Sequence, residues 1–211
     1  MPAYAGAWVA PEGGQEIWTS VVGQREGVSF FESSGYIEAP VGERTSFVIT
    51  PWMEQNGDSY EGWRGEATVA AKRAIHRSEG GVVALQAGAL WVSHPWGKCG
   101  EGGVEVRALA GRNIGRTGFA NVEAATRALE GGCESERLDL TIGYRPGQNW
   151  LAMGQVFVDM PRAGDETVRT QFTLVNFRPS GRAIQFGLRT RIDGGAQEAA
   201  FVLGLWGRIA D

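Results

Sequence analysis

The chain has 211 residues, 32 of them glycine and eight tryptophan, and a formal net charge of −4 at neutral pH. That balance excludes the basic footprint of a nucleic-acid binder, and no apolar run reaches the roughly 18 residues of a membrane-crossing helix. Strands that cross a membrane need only about 9–11 alternating residues, so a β-barrel is not excluded.

In chain order, "AYAGAW" (3–8) places Ala3 and Ala5 in the small-x-small pattern of a signal-peptidase site. Residues 1–13 therefore read as an N-terminal segment that follows or contains a cleavage remnant. From residue 14 to residue 211, period two dominates between short turn clusters and no helical period emerges. About twelve strands are predicted, at 15–24, 28–39, 45–55, 63–74, 82–92, 104–112, 119–128, 137–145, 150–160, 168–177, 182–192 and 198–209. No linker or change of composition divides them, so 14–211 is one domain.

The turns form two alternating sets. Tight ones fall at 40–44, 77–81, 115–118, 146–149 and 179–181, and longer or acidic ones at 56–62, 93–103, 129–136, 161–166 and 193–197. Up-and-down connectivity sends each set to its own end of the sheet, with Cys99 and Cys133 at the same end. Two cysteines without a Cys-x-x-Cys are too few for a zinc site. A Cys99–Cys133 disulfide formed in an oxidising compartment is expected instead.

Each strand carries an apolar row and an opposing row. The apolar rows include Ile17, Thr19 and Val21; Phe47, Ile49 and Met53; Leu138, Leu140 and Ile142; and Phe201, Leu203 and Leu205. The opposing rows carry Glu16, Glu32, Glu38, Glu54, Arg64, Glu66, Lys72, Glu105, Arg107, Glu123, Arg127, Arg137, Asp139, Arg145, Asp159, Arg169, Arg189 and Arg191. Arg25, Arg73 and Arg112 share the apolar parity at strand ends, where long side chains snorkel.

Barrel size decides which row faces in. About eight strands enclose a bore that side chains or one ligand can fill, whereas about twelve enclose a wider one. Alanine, valine and leucine would leave that bore partly void. Turned the other way, the apolar rows meet lipid and the charges line a wet lumen. Trp63 and Trp91 at one end of the apolar rows, with Tyr144 and Trp150 at the other, match two membrane-interface girdles. The expected fold is an all-β, antiparallel, up-and-down transmembrane barrel of about twelve strands.

The stretches "SSGYIEAPVGERTSFVITP" (33–51), "TGFANVEAATR" (117–127) and "RLDLTIGYRPGQNWLAMGQ" (137–155) resemble proteobacterial outer-membrane barrels, and the group named for them is the phenol-degradation (MetA-pathway) outer-membrane proteins. The opening "GAWVAPEGGQEI" (6–17) is similar to the start of a mature chain in that group. The resemblance runs from end to end on loose hairpin patterns. It implies a bacterial outer-membrane location and passage of small, including aromatic, molecules. The last strand, "AAFVLGLWGRIAD", departs from the usual outer-membrane ending because it lacks a terminal aromatic residue.

Glu16, Glu32, Glu38 and Glu54 suggest an acidic wall, and the later arginines a basic one that meets it where the last strand closes on the first. Separated walls would set a field across a narrow porin-like pore for passive diffusion or uptake of polar or aromatic solutes. The alternative is a non-conducting scaffold barrel whose charges only satisfy one another, acting in an outer-membrane complex. A third reading, a lipid-modifying enzyme, fares worst. Ser93 and His94 are adjacent and point apart on an extended chain, and His76 falls in a turn beside Arg77. Neither "GEGG" nor "EGGC" opens a helix that could hold phosphate, and "NGDSYEG" lacks calcium-loop spacing. No cofactor or metal is expected. The expected partners are outer-membrane lipid and lipopolysaccharide, the latter within reach of Trp96 and Lys98, together with small solutes or another envelope protein.

Overall fold

The computed structural model describes residues 6–56, 62–93, 99–162, 164–194 and 197–209. Twelve strands follow in order: β1 Gln15–Arg25, β2 Val28–Pro40, β3 Thr45–Asn56, β4 Trp63–Arg77, β5 Gly81–Val92, β6 Gly102–Ile114, β7 Gly118–Leu129, β8 Cys133–Gly147, β9 Trp150–Pro161, β10 Thr167–Phe177, β11 Ala183–Arg191 and β12 Glu198–Gly207. Every strand pairs antiparallel with its sequence neighbour. β1 then pairs with β12, from Glu16↔Gly207 to Arg25↔Glu198, and closes the barrel. Closure removes the unpaired sheet edges that would otherwise need covering.

Both ends of the barrel wall, the start of β1 and the finish of β12, lie at one rim, called here the terminal end; the other rim is the loop end. The β1–β2 hairpin at the loop end needs only Glu26 (φ 53°) and Gly27 (φ 82°), the left-handed pair that a two-residue turn between twisted strands requires. The expected acidic loop at 129–136 also tightens. β8 begins at Cys133, so residues 130–132 make the whole connection. The ladder shifts register between Ala74 and His76, which places His76 in β4 and not in a turn.

The large apolar side chains of β2 to β12 that were assigned to one face stand outward, many of them bare, with Ile142 64% exposed, Leu205 63% and Phe201 70%. β1 is turned over relative to the expectation. Val21 is buried with Phe30, Ala200 and Val202 inside, while Trp18 and Val22 are exposed outside. Both rows of β1 are apolar enough to face either way, and the single charge of Glu16 suggested the wrong one.

Cys99 and Cys133 form a disulfide with Cα atoms 5.7 Å apart and a sequence separation of 34. It links the start of β8 to the segment before β6, beside the Gly100 N–H donated to Glu130 O at 2.7 Å. Closing a loop of that length stabilises by about 4 kcal/mol at most, through lost denatured-state entropy. Native protein should therefore show no reactive thiol until reduced, and reductant should lower the urea midpoint of unfolding. An unchanged midpoint after complete reduction would show that the bridge does not stabilise the barrel.

Candidate functional site

Inward parity collects the charged rows inside the bore. Glu198, at the start of β12, accepts from Arg189 Nε at 2.8 Å and Arg25 Nε at 3.0 Å, and lies 3.6 Å from Arg169 Nε. Arg189 also forks onto both oxygens of Glu32 at 2.8 Å, tying β11 to β2 across two intervening strands. Arg25 reaches Glu54 at 3.3 Å. On the other wall, Arg127 joins Glu105 at 2.6 Å and Glu66 at 2.7 Å. Arg107 lies 3.2 Å from Glu105, 2.8 Å from Glu123 and 3.6 Å from Asp139. Asp159 sits between Arg137 and Arg169, at 2.5 and 3.2 Å. Paired and forked contacts of this kind satisfy charges that burial would otherwise penalise heavily.

Exposure varies among the lumen charges. The Arg64, Arg137 and Asp159 side chains keep 38%, 32% and 30% of their surface, whereas those of Lys72 and Glu38 keep none. Glu198 and Glu54, also toward the loop end, keep none and 4%, so the bore is closely packed with paired charges there and ends in a dry floor near the terminal end.

That floor is the N-terminal segment, residues 6–14, folded into the lumen as a strap. Lys72 Nζ donates to Gly6 O at 3.0 Å and Trp8 O at 2.8 Å, and lies 2.7 Å from Glu38 Oε1. Glu38 accepts from Ala10 N, Tyr36 Oη and Ser46 Oγ, while Asn121 Oδ1 accepts from Ala7 N. Apolar packing adds to these polar holds. Ala7 and Val9 lie buried against Ala74, Val82, Ala84 and Leu109. Trp8 packs on the cluster of Phe119, Leu151, Met153, Val175 and Ala183, edge-on to Phe119 with ring centres 6.2 Å apart. It fits because residue 111 is glycine: a Cβ there would stand 2.4 Å from the indole.

Of the residues expected to line the lumen, Glu32, Glu38, Glu54, Arg64, Glu66, Lys72, Glu105, Arg107, Glu123, Arg127, Arg137, Asp139, Asp159, Arg169 and Arg189 take part in the network just described or, for Arg64, lie 3.8 Å from Glu54. Arg191 pairs with Asp193 at 2.7 Å, and Arg145 lies over the Phe177 ring at 4.8 Å. Glu16 does not belong with them. It shares the outward parity of Trp18, whose indole N–H it accepts at 3.3 Å. Arg25, expected outside, is inside.

The expected acidic and basic walls are not separate either. Each of Glu32, Glu38 and Glu54 has its own cation, because side chains inside the bore reach strands two or three places away around the closed wall. Trp63, Trp91, Tyr144 and Trp150 are all exposed on the outer face. Ser93 Oγ accepts from Gly65 N at 2.6 Å; His94, Trp96 and Lys98 lie outside the described residues, as do Ala3 and Ala5.

The sequence reading missed Glu198, Tyr36, Ser46, Asn121 and the strap. Glu198 was legible, since it shares the parity of Ala200 and Val202 opposite the Phe201 row. Trp8 carried no such signal, because it precedes the first strand.

No protein-family model and no curated protein matches the chain. Solved structures do. A KdgM porin superposes with a TM-score of 0.65 at 6% identity, over 90% of this chain and 97% of the porin. An outer membrane channel from Pseudomonas putida F1 gives 0.65 at 10% identity, over 98% and 97%. A NanC porin gives 0.63 at 11% identity, over 89% and 98%. The chain therefore has the closed twelve-stranded antiparallel fold that these porins share.

Proposed function

We propose that this protein is a bacterial outer-membrane channel of porin type, with its termini and short turns at the periplasmic face and the longer loops outside. The observation that carries this reading is the inversion of the barrel: bare Phe, Leu and Ile on the outer wall, and a continuous ladder of ion pairs around the bore. Water on both sides would leave that outer wall as an exposed apolar surface far larger than soluble monomers carry. In a bilayer it meets acyl chains, and the exposed Trp63, Trp91, Tyr144 and Trp150 fall at the two interfaces. Lipid and lipopolysaccharide are then its surroundings.

The solutes are small and polar, or small and aromatic as the resemblance to the phenol-degradation group implies. A KdgM porin has been solved with a disordered oligogalacturonate. For the present chain, the close pairing of lumen carboxylates with guanidinium groups favours neutral or zwitterionic solutes over an oligoanion, because paired charges largely cancel each other's field.

Single-channel recording in planar bilayers tests the reading. Current steps are expected, with a reversal potential near zero in a potassium chloride gradient, meaning cation and anion permeabilities within about threefold of each other. Strong anion selectivity would contradict the balanced ladder, and the absence of any step would remove the channel. The non-conducting scaffold barrel is the second reading, favoured by the dry floor that residues 6–14 form.

A further inference from the structure

The twelve strands close on one another without residues 6–14. Every ladder runs between consecutive strands or between β12 and β1. The described hydrogen bonds from the wall to the strap come from three side chains, Lys72, Glu38 and Asn121. A segment bound only through side chains can leave without breaking the sheet.

The cradle left behind would also be self-sufficient. Lys72 keeps Glu38 at 2.7 Å and Tyr36 Oη at 3.0 Å, exchanging two backbone carbonyls for water. Glu38 keeps Lys72, Tyr36, Ser46 and Gln15. No charge is stranded, so the heavy penalty for an unpaired buried ion does not oppose the motion. What holds the strap in place is the burial of Ala7, Trp8 and Val9, against the conformational freedom that its ordered residues give up. A joint is present as well. Gly13 (φ 88°) and Gly14 (φ 71°) adopt consecutive left-handed conformations immediately before β1, and a Cβ on Gly14 would stand 2.8 Å from Glu38 O.

We propose that residues 6–14 are a displaceable plug: the strap swings out of the bore about Gly13–Gly14 and so opens the bore at the terminal end. This rests on the channel reading above. Position 111 supplies a point variant that acts on the plug alone, since any side chain there competes with Trp8 for the same space.

The test compares the full chain, a chain lacking residues 6–12, and Gly111→Leu in planar bilayers, each first shown to be folded by heat-modifiable gel migration. Both variants are expected to raise the open fraction by about tenfold or more. If the full chain conducts and neither folded variant opens further, the plug is overturned and the channel stands. If none of the three conducts, both fall.

Should neither variant fold, thiol labelling of full-length Ala7→Cys decides, because Ala7 has no exposed surface and the native cysteines are paired. The thiol is expected to react with a membrane-impermeant maleimide slowly but completely, as a seated strap that swings out would. Complete protection shows a fixed floor, labelling at the rate of a free surface cysteine shows an unseated strap, and either overturns the plug.

Discussion

Replacing Leu203 with arginine is expected to destabilise the barrel in a bilayer by about 2–4 kcal/mol. Leu203 sits in the middle of β12, is 58% exposed on the outer wall, and pairs with Ser20 of β1 and Phe186 of β11. On a water-facing surface the same change stays within about 0.5 kcal/mol of neutral. The sign of the argument therefore depends wholly on what the outer wall touches. Reversible urea unfolding in phospholipid vesicles measures it, with Thr190→Arg near the loop-end rim as a depth control expected to cost about 0–1 kcal/mol. Equal, near-zero effects at both positions would mean that no acyl chains cover the wall.

The second large effect is expected at Glu198. This carboxylate, fully buried in the bore, lies within 4 Å of Arg25, Arg169 and Arg189. Glu198→Gln keeps the shape and removes the charge, leaving three guanidinium groups with one anion fewer in a poorly hydrated site. Removing one partner of a buried ion pair costs about 3–5 kcal/mol, chiefly because the remaining charge goes uncompensated. The double variant Glu198→Gln/Arg189→Met should recover part of that loss, since it removes one charge of each sign and leaves Glu54 on Arg25 and Asp159 on Arg169. Additive losses would show that the two side chains contribute independently, and the network would then reduce to isolated pairs.

Much of the wall was legible in the sequence. Strand positions agree to within a few residues because alternation is local: successive side chains point to opposite faces whatever surrounds them. The same locality put Cys99 and Cys133 at one end, where they are joined. The candidate site was legible only as a parity. Glu32 and Arg189 were both assigned to the bore, but their forked contact depends on β2 and β11 being brought within reach by closure through β1 and β12. Glu16 and Arg25 went wrong together, as one strand must. Period two fixes relative facing within a strand, and a strand with two weakly apolar rows takes its absolute facing from its neighbours.

The amino-acid order by itself determined twelve strands, their hairpin order and, for eleven of them, which side chains share the inner face, because those properties follow from the geometry of an extended chain and its turns. Only the tertiary structure decided the facing of β1, the partner of each lumen charge and the seat of residues 6–14. Each of these depends on the space and the charges left inside once the first and last strands have paired, and no stretch of sequence contains that information alone.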